Sequence, residues 1–423
     1  MKKDFLYVVL ASALPALGNF IAVAVALRHL DPDWLGKSYA LLAFFYVTID
    51  LFNFGSPRIF TVERIRSRVS TLIFLDFASA TGSTIVFASL TGWFAQTGLF
   101  AQPHYVWTLI AAPACYGLSH FSLGVLRLYG RSGLVCLIST ISALSRVGVV
   151  LLVIAMQDLQ PMLPDFLLLV EAAYGAMLLL AYLATARGGN ARPADFASYP
   201  NAGRFNPWTF RYREFFSENR KEILGSWYSN AIFSGAKHAD IMIVTFILGP
   251  SAAALYRGVK SVHNLAFNSG QAFALVVSGK LARAIAPLLR MRAAAALAGS
   301  AIAIALLTLS SWIALRIHLF PTGLLGGPAV QFGFLFAAFL GAGVIFVCRI
   351  FSLHVFSIDR RSFVRISSLE VGASLLLVSA LSYVFGLIGA TSGIAVAGAI
   401  VLALSARIRA EPVTASAQMK TSP

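Results

Sequence analysis

The sequence is poor in charged residues, and in acidic residues above all. Only 12% of the 423 residues are charged, whereas soluble domains carry about 25%. A soluble protein with so few charges could not cover its surface with polar groups. The low charge therefore excludes ordinary cytosolic, secreted and nucleic-acid-binding proteins. The hydrophobic share of 58% predicts a membrane protein with many spans.

Cysteine and catalytic motifs are also scarce. The three cysteines stand singly inside apolar runs, and their number and spacing fit neither a disulfide framework nor a metal site. The sequence has no phosphate-binding glycine loop, no nucleophile motif and no metal-binding motif. These absences predict a protein that is not an enzyme and that needs no cofactor.

What the sequence contains instead is a series of apolar runs. A run of about 20 residues is long enough for a helix to cross the hydrocarbon core of a bilayer. Twelve transmembrane helices are predicted at 5–28, 38–58, 71–95, 105–128, 132–156, 162–185, 223–248, 251–279, 293–316, 328–352, 362–385 and 387–408. The predicted fold class is therefore all-α.

The basic residues support this map and give it an orientation. With the N-terminus in the cytoplasm, most of the 33 Lys and Arg residues fall in inner segments, and only Arg28, Lys37 and Arg316 fall in outer ones. Cytoplasmic loops of membrane proteins collect Lys and Arg in this way. Both termini are therefore predicted to be cytoplasmic, and the net charge of +16 needs no anionic polymer as a partner.

One long polar segment separates six predicted spans from six. The predicted domains are an N-terminal six-helix bundle at 1–185, a cytoplasmic linker at 186–222, a C-terminal six-helix bundle at 223–410 and a cytoplasmic tail at 411–423. Because six is even, both halves begin on the same side of the membrane, which predicts a parallel pseudo-repeat. The turns at 30–39 and 248–256 support it, since each contains Leu-x-Pro, then a small residue, then Tyr.

Polar side chains follow one face of several predicted spans. Charge in hydrocarbon costs about 2.5–3.5 kcal/mol on insertion scales, so such groups usually face a bundle interior or a water-filled path. The eighth span carries a stripe at helical spacing, namely Arg257, Lys260, Asn264, Asn268 and Gln271. Other spans contribute Tyr39, Tyr46, Arg146, Asn230 and Lys237, together with the acids Asp50, Glu171 and Asp240. These residues are predicted to line a central cavity.

Some of these charges have a structural alternative. Lys237 and Asp240 are three residues apart, so they either neutralise one another or bind a ligand. Arg146 is expected to pair with Glu171 on the next helix rather than to contact a substrate.

The pair Arg257 and Lys260 differs, because its own helix carries no acid to neutralise it. Arg holds phosphate oxygens through its forked donors, and Lys acts as a point charge. The pair is therefore predicted to contact an anionic substrate.

Two local patterns resemble those of a known transporter superfamily. Asp50-Leu-Phe-Asn-Phe-Gly55 is similar to the ending of its second helix, and Asp240 with Leu248-Gly-Pro and Tyr256 is similar to its seventh-to-eighth helix junction. With its twelve spans and its basic inner link, the chain resembles the multidrug/oligosaccharidyl-lipid/polysaccharide exporters. Within that superfamily it resembles the lipid-linked oligosaccharide flippases of bacterial O-antigen and exopolysaccharide clusters.

This resemblance implies a MATE-like pair of six-helix bundles around a cavity that opens alternately to each side. The implied substrate is an undecaprenyl-pyrophosphate-linked oligosaccharide, moved from the cytoplasmic to the periplasmic leaflet of the bacterial inner membrane for polysaccharide biosynthesis. The other implied partners are membrane lipid, a coupling proton or sodium ion, and polymerase or export machinery.

Two other functions remain open from the sequence. An ion-coupled multidrug or small-molecule exporter of the same fold would use Asp50, Asp240 or Glu171 as its coupling acid. A membrane-embedded glycan polymerase fits less well, because such enzymes generally place acid/base residues in a sizeable outer loop and every predicted outer loop here is short.

Overall fold

The structure is a computed structural model that describes most of the chain. The described residues are 2–54, 69–128, 130–187, 217–220, 223–225, 227–228, 231–232, 238–281, 328–358 and 360–405. Within these ranges the regular structure is helical throughout. The all-α fold class is confirmed.

Within the described residues, ten α-helices form two groups along the chain. The first group consists of α1 (Lys2–His29), α2 (Pro32–Phe52), α3 (Val69–Gln96), α4 (Val106–Leu128), α5 (Ser132–Ala155) and α6 (Leu163–Arg187), with a short 3-10 helix at Gln157–Met162. The second group consists of α7 (Asp240–Leu248), α8 (Pro250–Leu281), α9 (Pro328–Ile358) and α10 (Arg360–Ser405). Eleven of the predicted spans overlap these helices, and the span at 293–316 lies outside the described residues.

Local sequence explains the sharp turn between α1 and α2. Both carboxylate oxygens of Asp31 accept hydrogen bonds from the first free backbone N–H groups of α2, at Asp33 (3.3 Å) and Trp34 (3.1 Å). Pro32 stands at the first helical position, where its missing N–H costs nothing. The turn therefore needs only two residues between the helices.

The last helix, α10, contains a reversal of the chain. Gly386 has φ 60° and ψ −138°, a conformation outside the helical region. A Cβ atom on Gly389 would lie 1.9 Å from the Leu381 carbonyl oxygen, and one on Gly393 would lie 2.8 Å from the Val378 nitrogen. In a straight helix eight residues span about 12 Å. The two arms of α10 are therefore antiparallel, and each corresponds to one of the last two predicted spans.

Hydropathy agrees with a membrane location. Six described helical stretches are long and apolar enough to cross a bilayer, at Leu6–His29, Pro32–Phe52, Val106–Arg127, Ser132–Ala155, Gln157–Thr185 and Val364–Ala403. The protein is a polytopic helical membrane protein.

Among the described residues, α1, α2, α7 and α8 make the main contacts between the two groups. Helix α8 packs against α1 and α2, and α7 also contacts α2. The largest buried cluster crosses this boundary, since it joins Leu35 and Phe45 of α2 to Leu255 of α8 and Phe334 of α9. At one end of the boundary the α1–α2 turn lies against the α7–α8 turn, with Gly36 on the backbone of Pro250. We call this end of the molecule the turn end.

Candidate functional site

A cavity of about 330 Å³ lies between the two groups. One wall comes from α1, α2, α4, α5 and α6, and the other comes from α8 and from His238, just before α7. The lining residues of α1 lie in its first two thirds and those of α2 near its last turns, as Val8 and Asp50 show. The cavity therefore extends away from the turn end.

The wall on α8 is a single polar face. Arg257, Ser261, Asn264 and Asn268 line the cavity at successive spacings of four, three and four residues, which place side chains on one side of a helix. Of the residues predicted to line a cavity, Arg257, Asn264 and Asn268 lie on this face, and their role in binding a substrate stays a prediction. Ser261 was not predicted to line the cavity. Its position four residues after Arg257, on the same face of the helix, would have indicated it.

Arg257 is a fully buried cation at the inner limit of this face. Its side chain is 1% exposed, and its Nε and Nη1 atoms have no hydrogen-bond partner among the described residues. The guanidinium carbon lies 5.6 Å from the centroid of the Tyr39 ring on α2, within the range of a cation–π interaction. Three N–H donors of Arg257, one on Nε and two on Nη1, therefore have no partner among the described residues.

Lys260 does not share this environment. Its ammonium forms a buried ion pair with Oδ2 of Asp240 on α7. The same oxygen accepts a hydrogen bond from the Tyr256 hydroxyl at 2.8 Å, and Oδ1 accepts one from the backbone N–H of Ile241 at 2.9 Å.

The helix of Lys260 carries no acid, as the sequence indicates, but Asp240 of the neighbouring helix α7 neutralises the Lys260 ammonium. The pattern along α8 reveals acids on α8 only, whereas Asp240 reaches Lys260 from the neighbouring helix. Lys260 does not line the cavity, because its position is rotated by about 60° from Arg257 around the helix.

Arg146 forms the ion pair that the sequence predicts. Its Nη2 and Nε atoms donate to Oε1 of Glu171 at 2.6 and 3.0 Å. Its other donors reach the Tyr46 hydroxyl at 3.5 Å and the Pro15 carbonyl oxygen at 3.4 Å. Arg146 lines the cavity, but Glu171 neutralises its charge, so it positions neighbouring groups.

An aromatic wall faces the polar side of α8. The His238 ring stacks on Tyr46 with centroids 4.6 Å apart and an interplanar angle of 24°. Tyr116 follows at 5.8 Å from Tyr46, and Tyr174 at 6.0 Å from Tyr116. All four line the cavity. Only Tyr46 was predicted, because a single Tyr within an apolar span gives no periodic signal.

The remaining predicted residues fall in different places. Tyr39 is 1% exposed and lies beside Arg257 on the side of the turn end, outside the cavity lining. Asp50 lines the cavity at its far end. Asn230 and Lys237 lie outside the described residues, as does the side chain of Gln271.

The charged residues that line the cavity are mostly cations. They are Arg127, Arg146 and Arg257 against Asp50. Because Glu171 neutralises Arg146, the described lining is left with two other arginines, Arg127 and Arg257, and one acid, Asp50. Nowhere in the described residues do three or more His, Cys, Asp or Glu side chains form a group that could hold a metal ion.

Comparisons with known proteins bear on the fold. No protein-family model and no curated sequence matches the chain. Among solved structures, one described as the inward-facing conformation of a multidrug resistance MATE family transporter of the MOP superfamily is similar. That likeness has a TM-score of 0.55 and 15% identity, and it covers 100% of this chain and 96% of the other.

Two further structures agree with the first. A mutant of the Vibrio cholerae MATE transporter VcmN has a TM-score of 0.60, 12% identity and 96% coverage of each chain. The eukaryotic MATE transporter AtDTX14 has a TM-score of 0.60, 11% identity and 96% coverage of each chain. The chain therefore has the fold of the MATE transporters.

Proposed function

We propose that the protein is an alternating-access transporter that moves an undecaprenyl-pyrophosphate-linked oligosaccharide from the cytoplasmic to the periplasmic leaflet of the bacterial inner membrane. The observation that carries the proposal is Arg257. It lines the cavity, it is buried, and two of its nitrogen atoms have no hydrogen-bond partner among the described residues. No acid among the described residues forms an ion pair with it.

A buried guanidinium with unused donors favours an anionic ligand. Its planar fork matches two phosphate oxygens, and charge-assisted hydrogen bonds of this type are about twice as strong as neutral ones. Exclusion of water strengthens the attraction further. Arg127, at the other end of the cavity, adds to the positive potential along the path. A pyrophosphate group fits these demands.

The remaining lining suits a sugar. The amides of Asn19, Asn264 and Asn268 can both donate and accept hydrogen bonds with sugar hydroxyls. The opposite aromatic wall offers flat faces to the sugar ring. The volume of about 330 Å³ is at the lower end of the roughly 300–1,000 Å³ usual for small-molecule sites. In this proposal the cavity holds the pyrophosphate and the sugar next to it, and the polyprenyl tail stays in the lipid.

The position of the cavity supports the direction of transport. In the predicted orientation α1 begins and α2 ends in the cytoplasm, so the cavity lies on the cytoplasmic side and the turn end is periplasmic. A substrate made in the cytoplasm would enter this conformation. Transport would then require the turn end to open.

An ion-coupled multidrug exporter of the same fold is the second candidate. Asp50 lines the cavity in the same wall as the ring of Tyr46, and an acid beside aromatic rings suits an organic cation. The two functions predict opposite preferences for the charge of the substrate. The excess of arginine in the lining favours the anionic substrate.

Transport in proteoliposomes tests the proposal. We expect the purified protein to flip a labelled undecaprenyl-pyrophosphate oligosaccharide, and we expect Arg257→Gln to lower the initial rate at least tenfold. The matched control is Lys37→Gln, which removes a cation of the partly exposed pair with Asp33 near the turn end, outside the cavity. Transport of cationic dyes without lipid flipping would establish the second candidate. Flipping by Arg257→Gln at the wild-type rate would remove Arg257 from the site.

A further inference from the structure

We infer that Arg257 holds the turn end closed through its contact with Tyr39, and that an anion bound in the cavity releases this contact. One guanidinium would then both recognise the substrate and control the opposite opening. The inference rests on the proposed function, since it requires an anionic substrate in the cavity.

The contact joins the two helix groups. Arg257 belongs to α8 and Tyr39 to α2, and their side chains meet with the guanidinium carbon 5.6 Å from the ring centroid. Tyr39 follows Gly36 by three residues, and Arg257 follows Pro250 by seven, which is two turns of helix. The Arg257–Tyr39 contact therefore lies further from the turn end than the place where Gly36 packs on Pro250.

Arg257 lies on the border between two environments. It contributes to the cavity lining, whereas Tyr39 does not. Its Nε and Nη1 atoms are buried and have no hydrogen-bond partner among the described residues, so the guanidinium can turn toward a ligand in the cavity without breaking a hydrogen bond of these atoms. A movement of the guanidinium toward the cavity moves it away from Tyr39.

The anion has the stronger interaction. Two parallel charge-assisted hydrogen bonds to phosphate oxygens are directional and short, whereas a cation–π contact is a weaker attraction to the face of the ring. The other described contacts between α2 and α8 at the turn end are not polar, since Gly36 packs on the backbone of Pro250 and a buried apolar cluster includes Leu35 and Leu255. Loss of the Arg257–Tyr39 contact therefore removes a polar interaction that links α2 to α8 at this end.

Two spin labels across the turn end can measure its opening. Asp33→Cys on α2 and Ser251→Cys on α8 provide the label sites, in the full-length chain with Cys115, Cys136 and Cys348 replaced by serine. Among the described residues Asp33 forms its ion pair with the partly exposed Lys37, so its replacement costs little. The probe is inorganic pyrophosphate, added to the labelled protein in lipid nanodiscs, and the readout is the distance distribution between the labels.

In the protein with Tyr39 unchanged, the distance between the labels should be short and should lengthen when pyrophosphate is added. Tyr39→Leu removes the ring and should give the long distance without pyrophosphate, whereas Tyr39→Phe keeps the ring and should behave as wild type. Tyr39→Leu should also bind pyrophosphate about tenfold more tightly, equivalent to about 1.4 kcal/mol, because Arg257 no longer has to leave Tyr39.

A second variant keeps the test decisive if Tyr39→Leu does not fold. Arg257→Lys retains a cation near the ring but loses the fork, so the turn end should remain closed and pyrophosphate should no longer open it. Opening of Arg257→Lys by pyrophosphate, as in wild type, would overturn the inference. The inference would also be overturned if the wild-type protein bound pyrophosphate with no change in the distance between the labels. The proposed function would survive that result. Failure of the wild type to bind pyrophosphate at all would overturn both.

Discussion

Gly36 of α2 and Pro250 of α8 approach so closely that no side chain fits between them. A Cβ atom on Gly36 would lie 1.7 Å from the Pro250 carbonyl oxygen and 2.3 Å from its carbonyl carbon. These atoms belong to backbone, which cannot rotate away as the end of a long side chain can. The two turns that show the same short pattern in sequence thus meet at a point where only glycine is tolerated.

We expect Gly36→Ala to force the turn end apart. The added methyl group should lengthen the distance between labels at Asp33→Cys and Ser251→Cys and should lower transport, because one conformation of the cycle becomes inaccessible. Gly148→Ala in α5 is the matched control, since a Cβ there meets no atom within 4 Å. Equal distances in the two variants would show that the contact between α2 and α8 adapts to a side chain.

Asp240→Asn should destabilise the protein strongly. The change leaves the ammonium of Lys260 buried without its carboxylate, and loss of one partner of a buried pair costs about 3–5 kcal/mol. The control is Asp33→Asn, which breaks the partly exposed pair with Lys37 and should cost less than about 1 kcal/mol. Thermal unfolding in detergent compares the two. A similar loss in both variants would contradict the burial of the Asp240–Lys260 pair.

Glu171→Gln should have a comparable effect in the first helix group. It leaves the charge of Arg146 in a buried site, where Glu171 is its acidic partner among the described residues. The double variant Arg146→Gln with Glu171→Gln removes both charges, so its loss of stability should be smaller than the sum of the two single losses. Additive losses would show that the two side chains do not act as a pair.

Gly386→Ala should weaken the reversal within α10. Gly386 has φ 60° and ψ −138°, a combination that is essentially restricted to glycine, and backbone strain of this kind costs about 1–3 kcal/mol. Gly372→Ala, in the first arm of α10, is the control because a Cβ there meets no atom within 4 Å. The control should be neutral or stabilising by about 0.5–1 kcal/mol. A chemical denaturation series on both variants measures the difference.

The helices and the polar face of α8 could be predicted because both depend on local pattern. Span length follows from bilayer thickness, and Arg257, Asn264 and Asn268 share a face through helical spacing alone. The pairing of Arg146 with Glu171 could also be predicted, since consecutive spans joined by a short connection are neighbours.

The partner of Lys260 and the place of Tyr39 could not be predicted in the same way. Asp240 reaches Lys260 from α7, and which face of α7 turns toward α8 depends on packing in three dimensions. Tyr39 has the helical phase of a cavity residue, yet it lies beyond the cavity because the two helix groups are in contact at that depth. The depth at which they touch is a property of their relative arrangement, which the periodicity of a single helix does not encode.

The reversal at Gly386 has a consequence for the length of the chain. Each residue added to a helix rotates the following side chains by about 100°. Because a single residue joins the two arms, no loop exists to absorb an insertion or a deletion. One extra residue between Leu381 and Gly389 would turn Gly389 and Gly393 away from the opposite arm and bring bulkier side chains against it. This segment therefore tolerates neither lengthening nor shortening, and it is an unsuitable site for an inserted epitope or fluorescent tag.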